Sequence, residues 1–165
     1  IEAGRGYILQ ENYGLAQEAF QKVIQLNPDS EDAHFELGKI CYIQAKFGEA
    51  IDRLKKTASL NQNNPHVHLL LAKSYKATGR NNEAVLEFKK ALELGYQGEN
   101  IYKELFEIYK VLNKTDFSPE EIKFALENGY EQELYQLIQK CNFDRQPAPQ
   151  KAACLPLWIW PASPC

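Results

Sequence analysis

The chain has 165 residues, a length that suits one domain, and its 44% hydrophobic and 25% charged residues exclude wholesale disorder. Nineteen basic against 22 acidic side chains leave a formal charge of −3 and a pI near 5.7, which gives no global drive toward nucleic acid or anionic lipid. No apolar run approaches the ~20 residues of a membrane-spanning helix, and the N-terminus lacks the charged-then-apolar pattern of a signal peptide.

Taken in chain order, the sequence repeats itself at 34 residues without gaps from Ile1 to about Gln132. In the first unit Ile1, Tyr7, Ile8 and Leu9 fall in a first helix, Ala16 and Phe20 in a second, and Pro28 closes the unit. The second unit has Phe35, Leu37, Ile40 and Cys41 at helical spacing, a break at Lys46-Phe47-Gly48, and Ala50, Ile51, Leu54 and Ala58 at the same period. The loop from Leu60 to Pro65 ends that helix and starts the next, with Pro65 suited to a first helical turn. The third unit runs from Leu69 to Ala77, turns at Thr78-Gly79-Arg80-Asn81, and continues from Ala84 to Leu94, where Gly95 terminates it. The fourth has Ile101 to Leu112, then Ser118 as N-cap, Pro119 in the first turn and Glu121 completing a capping box.

The period aligns Gly4 with Gly38 and Ala72, Ala16 with Ala50 and Ala84, and Phe20 with Leu54, Phe88 and Ile122. Small side chains let two helix backbones approach, and large ones such as Tyr75 and Phe88 fill the space beside them. One such hairpin cannot bury its apolar face alone, so neighbours must stack. Leu71-Ala72-x2-Tyr75 with Ala84-x3-Phe88-x2-Ala91, Leu37-Gly38-x2-Cys41 with Ala50-x3-Leu54, and Gly4-x2-Tyr7 with Ala16-x3-Phe20 closing at Pro28 resemble the tetratricopeptide-repeat (TPR) family. The fourth copy is degenerate, with Phe106 at a normally small position and Ser118 in place of the alanine. The tryptophan position of the family carries His34, His68 and Tyr102. The resemblance implies an all-α fold, a right-handed α-solenoid of about four 34-residue helix-turn-helix units, ended by a C-terminal capping helix.

The two ends read differently. By register the first unit starts four residues before Ile1, and the chain has no methionine, so the reading is of a piece of something longer. Glu131 to Cys141 has the apolar stripe Leu134, Leu137, Ile138 and Cys141 opposite a polar face, as a capping helix requires. Residues 1–141 are thus expected to form the solenoid with its cap at 131–141. Residues 142–165 hold five of the eight prolines and both tryptophans and are expected to be a disordered, Pro-rich and apolar tail.

Catalytic chemistry finds little support. Cys41 and Cys141 fall on core positions, and no Cys-x-x-Cys pair points to zinc. His66 and His68, two apart on a helix, point to different sides, which is poor geometry for a shared metal. There is no Gly-rich phosphate loop, no Gly-x-Ser-x-Gly and no His-Glu-x-x-His. The expectation is a chain with no enzymatic activity, cofactor or metal, placed in the cytoplasm because nothing argues for an oxidising compartment.

One arrangement stands out. In the family resembled, first helices line the concave surface, so Arg5, Lys39 and Lys73, spaced at the repeat, are expected to form a ladder along it. Lys76, Lys103 and Lys110 lie on the same broad face, while Phe35, Tyr42, Ile43 and Leu69 interleave apolar surface, and Glu36, Glu104 and Glu107 blur the charge. Such a groove suits a peptide with acidic groups. The lysine and asparagine set of the family's carboxylate clamp has no asparagine counterpart here, since the rungs are Arg5, Lys39, Lys73 and Glu107. The reading is a protein-interaction scaffold that binds a partner polypeptide, without nucleic acid or membrane. The alternative is a regulatory or substrate-selecting arm of a larger enzyme, for example a transferase, whose catalytic domain lies elsewhere.

Overall fold

The structure is a computed structural model that describes residues 1–98, 100–114 and 117–145, with side chains described as far as residue 139 and residue 100 excepted. The described residues form nine helices and no strand. They are α1 (Glu2–Leu9), α2 (Tyr13–Leu26), α3 (Glu31–Ile43), α4 (Phe47–Leu60), α5 (Pro65–Ala77), α6 (Asn81–Glu93), α7 (Asn100–Leu112), α8 (Pro119–Glu127) and α9 (Glu131–Arg145). The chain divides into two compact units, Ile1–Ile108 and Tyr109–Cys165.

In the first unit each helix from α1 to α5 packs on its successor, and α3 also packs on α5. That is the contact pattern of stacked hairpins, in which first helices lie beside first helices. Ala16, Ala50 and Ala84 are fully buried, as are Phe20, Leu54 and Phe88 four residues on. A Cβ on Gly4 would lie 2.6 Å from the Phe20 ring, and one on Gly38 would lie 2.8 Å from Leu54 Cγ. The missing side chain is therefore what lets the second helix of each hairpin close onto the first. Ala33, Leu37 and Ile40 join Ala16 and Phe20 in one core, with Tyr7, Ile8, Tyr13, Val23 and Ile24 packed at its edge.

The turns inside the hairpins are the most regular element. Glu11, Ala45, Gly79 and Asn113, each 34 residues from the next, adopt φ of 57, 58, 74 and 50°. The amide that follows each one donates back to a carbonyl five residues earlier, from Asn12 to Tyr7, Lys46 to Cys41, Arg80 to Tyr75 and Lys114 to Tyr109, at 2.9 to 3.1 Å. This is the hydrogen bond of a Schellman ending, which requires one left-handed residue. It places the break of the second hairpin at residues 44–46, slightly before the Lys46-Phe47-Gly48 expected from composition, and α4 already begins at Phe47. Between hairpins, polar side chains start the next helix: Ser30 accepts from the Ala33 amide and Asn64 from the His66 amide, with Pro65 in the first turn of α5.

The histidines at the tryptophan position are tied to these connections. His34 is 6% exposed and its Nε2 lies 2.9 Å from the Pro28 carbonyl oxygen, while His68 is 1% exposed and its Nε2 lies 3.1 Å from that of Gln62. Each ring donates to the turn that precedes its own helix, which is the one hydrogen bond an indole would also supply.

In the second unit, α8 opens with the expected capping box: Ser118 Oγ accepts from the Glu121 amide and Glu121 Oε2 accepts from the Ser118 amide at 2.7 Å. Tyr109 donates its hydroxyl to the buried Glu121 at 3.0 Å and meets Phe117 edge-on. α9 packs on α8 with Leu134 and Leu137 buried, and it runs to Arg145, past the end expected at Cys141. The rest of the expected tail, residues 146–165, lies outside the described residues.

Candidate functional site

The two first helices α3 and α5 present matching stripes. Phe35, Lys39, Tyr42 and Ile43 follow helical spacing on α3, and His66, Leu69, Leu70 and Lys73 do so on α5. Together Phe35, Lys39, Tyr42, Ile43, His66, Leu69 and Leu70 line an open hollow of about 390 Å³ whose surface is mainly apolar. Of the residues expected in the groove, Phe35, Lys39, Tyr42 and Leu69 are brought together there. His66 and Leu70 join them without having been expected there, although the 66, 69, 70, 73 spacing carries the signal. His66 is exposed on this face while His68 is buried, as a separation of two on a helix demands.

Aromatic contacts hold the hollow in shape. Tyr42 meets Phe47 with centroids 5.6 Å apart, and His66 meets Tyr96 at 5.7 Å and 89°. Phe47 and Tyr96 lie outside the α3 and α5 stripes, so the second helix of one hairpin and the turn after another brace the two rims. Ile43 remains 51% exposed, which leaves apolar surface open at the rim.

The charge ladder is largely answered within the chain. Arg5 donates through Nε to Glu36 Oε1 at 3.1 Å and through a terminal nitrogen to Asp32 Oδ1 at 3.2 Å. The Glu36 hydrogen bond is the main cause holding the Arg5 guanidinium above its usual range. Lys39 donates to the other Glu36 oxygen at 2.8 Å and also stands 5.6 Å from the Phe35 ring centroid. Glu36 is 5% exposed, so a buried carboxylate joins two rungs into one network. Lys76 donates to Glu104 in the same manner one hairpin further on. Lys73 is half-buried and Lys103 exposed, and neither has an ion pair among the described residues. Lys110 lies in the last turn of α7 and belongs to the second unit.

Among the described residues, no three His, Cys, Asp or Glu side chains are grouped to hold a metal ion. Cys41 is 3% exposed, and burial first, then the Glu49 carboxylate, pushes its thiol up, away from the reactive thiolate. No described helix is long and apolar enough to cross a membrane.

Comparison with known structures finds the same fold in several proteins. The crystal structure of MamA superposes with a TM-score of 0.69 at 19% identity, over 86% of this chain and 84% of that one. The first TPR of Spaghetti (RPAP3), solved bound to the HSP90 peptide SRMEEVD, superposes with a TM-score of 0.65 at 20% identity, over 68% of this chain and 90% of that one. A MamA mutant aligns at 37% identity with a TM-score of 0.54, over 58% of this chain and 69% of that one. A comparison with curated protein sequences gives no match. Profiles of the tetratricopeptide repeat match residues 2–30 and 42–105, more than half of the chain in total. With the 34-residue period of its buried alanines and of its left-handed turns, the chain belongs to the tetratricopeptide-repeat family.

Proposed function

We propose that the chain is a protein-interaction scaffold that seats a partner polypeptide on the first helices of its repeats. The observation that carries this reading is the apolar hollow between α3 and α5, rimmed by Lys39 and followed along α5 by the unpaired Lys73. Burial of one large apolar side chain against Phe35, Tyr42, Ile43, Leu69 and Leu70 supplies most of the affinity, at about 25 cal/mol per Å² of apolar surface covered. Lys73, and Lys103 beyond it, then orient a carboxylate carried further along the same ligand. Arg5, Lys39 and Lys76 act mainly by shaping the wall, because Asp32, Glu36 and Glu104 already satisfy them. The RPAP3 neighbour was solved with a peptide that ends Glu-Glu-Val-Asp, which makes acidic peptides a concrete starting point.

The test is a peptide array selected on the intact chain, followed by titration of the best binder. Leu69→Glu should weaken that binder at least tenfold, because it places a charge in the apolar hollow. Lys73→Glu should weaken acidic binders and reduce their salt dependence, while apolar binders hold. Selected peptides that bind both variants as well as the parent chain would reject the groove.

A further inference from the structure

The two buried histidines hold the same place in successive repeats, yet their rings are not equally served. In the third repeat His68 faces an acceptor on each side, with Nε2 3.1 Å from the Gln62 carbonyl and Nδ1 2.7 Å from Glu87 Oε2. In the second repeat His34 Nε2 faces the Pro28 carbonyl in the same way, but His34 Nδ1 is buried with no hydrogen-bond partner among the described residues. An orphaned polar atom at a 6% exposed side chain is a destabilising feature unless something serves it.

The repeat identifies what is missing. Glu87 on α6 corresponds to Arg53 on α4, 34 residues earlier. Arg53 makes no hydrogen bond to His34 Nδ1, and it has no ion pair among the described residues. His34 and Arg53 line one open hollow of about 460 Å³ with Pro28, Glu49, Asp52 and Lys56. Lys56 is engaged by Asp29 at 2.8 Å, so Arg53 is the cation left to receive an anion there. This hollow is built on α4 and the turn before α3, apart from the stripes of α3 and α5.

We propose that this hollow is a carboxylate-binding site. A carboxylate brought by a partner takes on His34 Nδ1 the place that Glu87 takes on His68, and its second oxygen pairs with Arg53. The His34 ring takes up one proton together with the carboxylate, so that both of its nitrogens donate. Glu49 and Asp52 line the same hollow and oppose a bare anion, so recognition rests on two directed hydrogen bonds rather than on net charge. The site does not depend on the groove reading, because none of its residues lines the groove.

The test follows imidazole nitrogen resonances of the intact chain. Sodium acetate is titrated against sodium chloride at matched ionic strength, and beside it N-acetylglycine, which presents a chain-terminal carboxylate, and N-acetylglutamate methylamide, which presents only a side-chain one. The expected result is a saturable shift of His34 Nδ1 toward its protonated position with carboxylates, none with chloride, and an unmoved His68. Tighter binding of the first blocked probe assigns a chain end and of the second a side chain, and either upholds the site. Arg53→Gln should weaken the response at least fivefold. Arg53→Glu should place an internal carboxylate on Nδ1, so His34 starts in the shifted position and no longer responds. A His34 ring unmoved by every carboxylate, moved equally by chloride, or still titrating in Arg53→Glu would overturn the proposal.

Discussion

Ala45 sits at a φ of 58° on an exposed turn, at the position where the next repeat has Gly79 at 74°. A left-handed conformation costs an L-residue about 1–2 kcal/mol, while glycine's extra freedom in the unfolded chain takes back about 0.4–1 kcal/mol. Ala45→Gly should therefore stabilise the second hairpin by about 0.5–1 kcal/mol, with the Lys46-to-Cys41 hydrogen bond unchanged. The reciprocal Gly79→Ala should destabilise by a similar amount. A Cβ there would meet nothing within 4 Å, so the effect isolates backbone conformation from packing. Urea unfolding followed by far-UV circular dichroism measures both. With a slope of about 2 kcal/mol per molar, each midpoint should move by about 0.3 M in opposite directions with the slope preserved. A lower midpoint for Ala45→Gly, or shifts of the same sign, would refute the argument that these turns demand a left-handed residue for one structural reason.

Other outcomes follow from the packing and the charge network. Gly38→Ala should lower stability by about 1–3 kcal/mol, since the new Cβ meets the branch point of Leu54 at 2.8 Å, and Leu54→Ala in the same chain should recover part of the loss of close contact, giving a non-additive pair in denaturant titrations. Glu87→Ala leaves His68 Nδ1 without its acceptor and should cost about 1–3 kcal/mol, read from the same midpoints. Removing Lys39 and Arg5 together should destabilise more than the two single changes added, because only the double change leaves the buried Glu36 unanswered, and a double-mutant cycle checks it. Lys56 holds the Asp29 carboxyl below its ordinary value of 3.8, so that pair contributes at neutral pH and loses its contribution as pH falls through the lowered value; Asp29→Asn should flatten the acid limb of a stability-against-pH curve.

The fold was legible because a solenoid writes its packing into the sequence at one period. The alanines at 16, 50 and 84, the glycines at 4 and 38, the capping box at Ser118 and the terminator Gly95 all took the roles that their chemistry dictates. The column of left-handed turns was harder to see, since only Gly79 of its four members is a glycine. Asn113 tolerates this conformation through its short polar side chain, while Glu11 and Ala45 adopt it against their own preference because the Schellman ending of the hairpin turn requires it. α9 extends to Arg145 although its last turn lacks the apolar periodicity that marks Leu134 and Leu137, so composition does not reveal its end.

The groove was half legible, and the missing half has a geometric cause. A shift by 34 aligns a residue with its counterpart at the same level of the next repeat, so it finds columns such as Arg5, Lys39 and Lys73. Side chains that meet across neighbouring repeats are instead displaced by one or two helical turns. Arg5 reaches Asp32 and Glu36, 27 and 31 residues on, and Lys76 reaches Glu104, 28 on. Asp29 and Lys56, on the second-helix side, are again 27 apart. Each separation is one repeat less three to seven residues, the offset of a side chain that leans toward the helix N-terminus. Periodicity therefore reports which cations share a face, while a search at 27 to 31 residues reports which of them are already paired. Applied along the ladder, that second search pairs Arg5 and offers Glu104 to both Lys73 and Lys76; the structure gives Glu104 to Lys76, and Lys39 is already paired with Glu36 on its own helix, which leaves Lys73, two residues before the buried Tyr75, as the rung with a charge to offer.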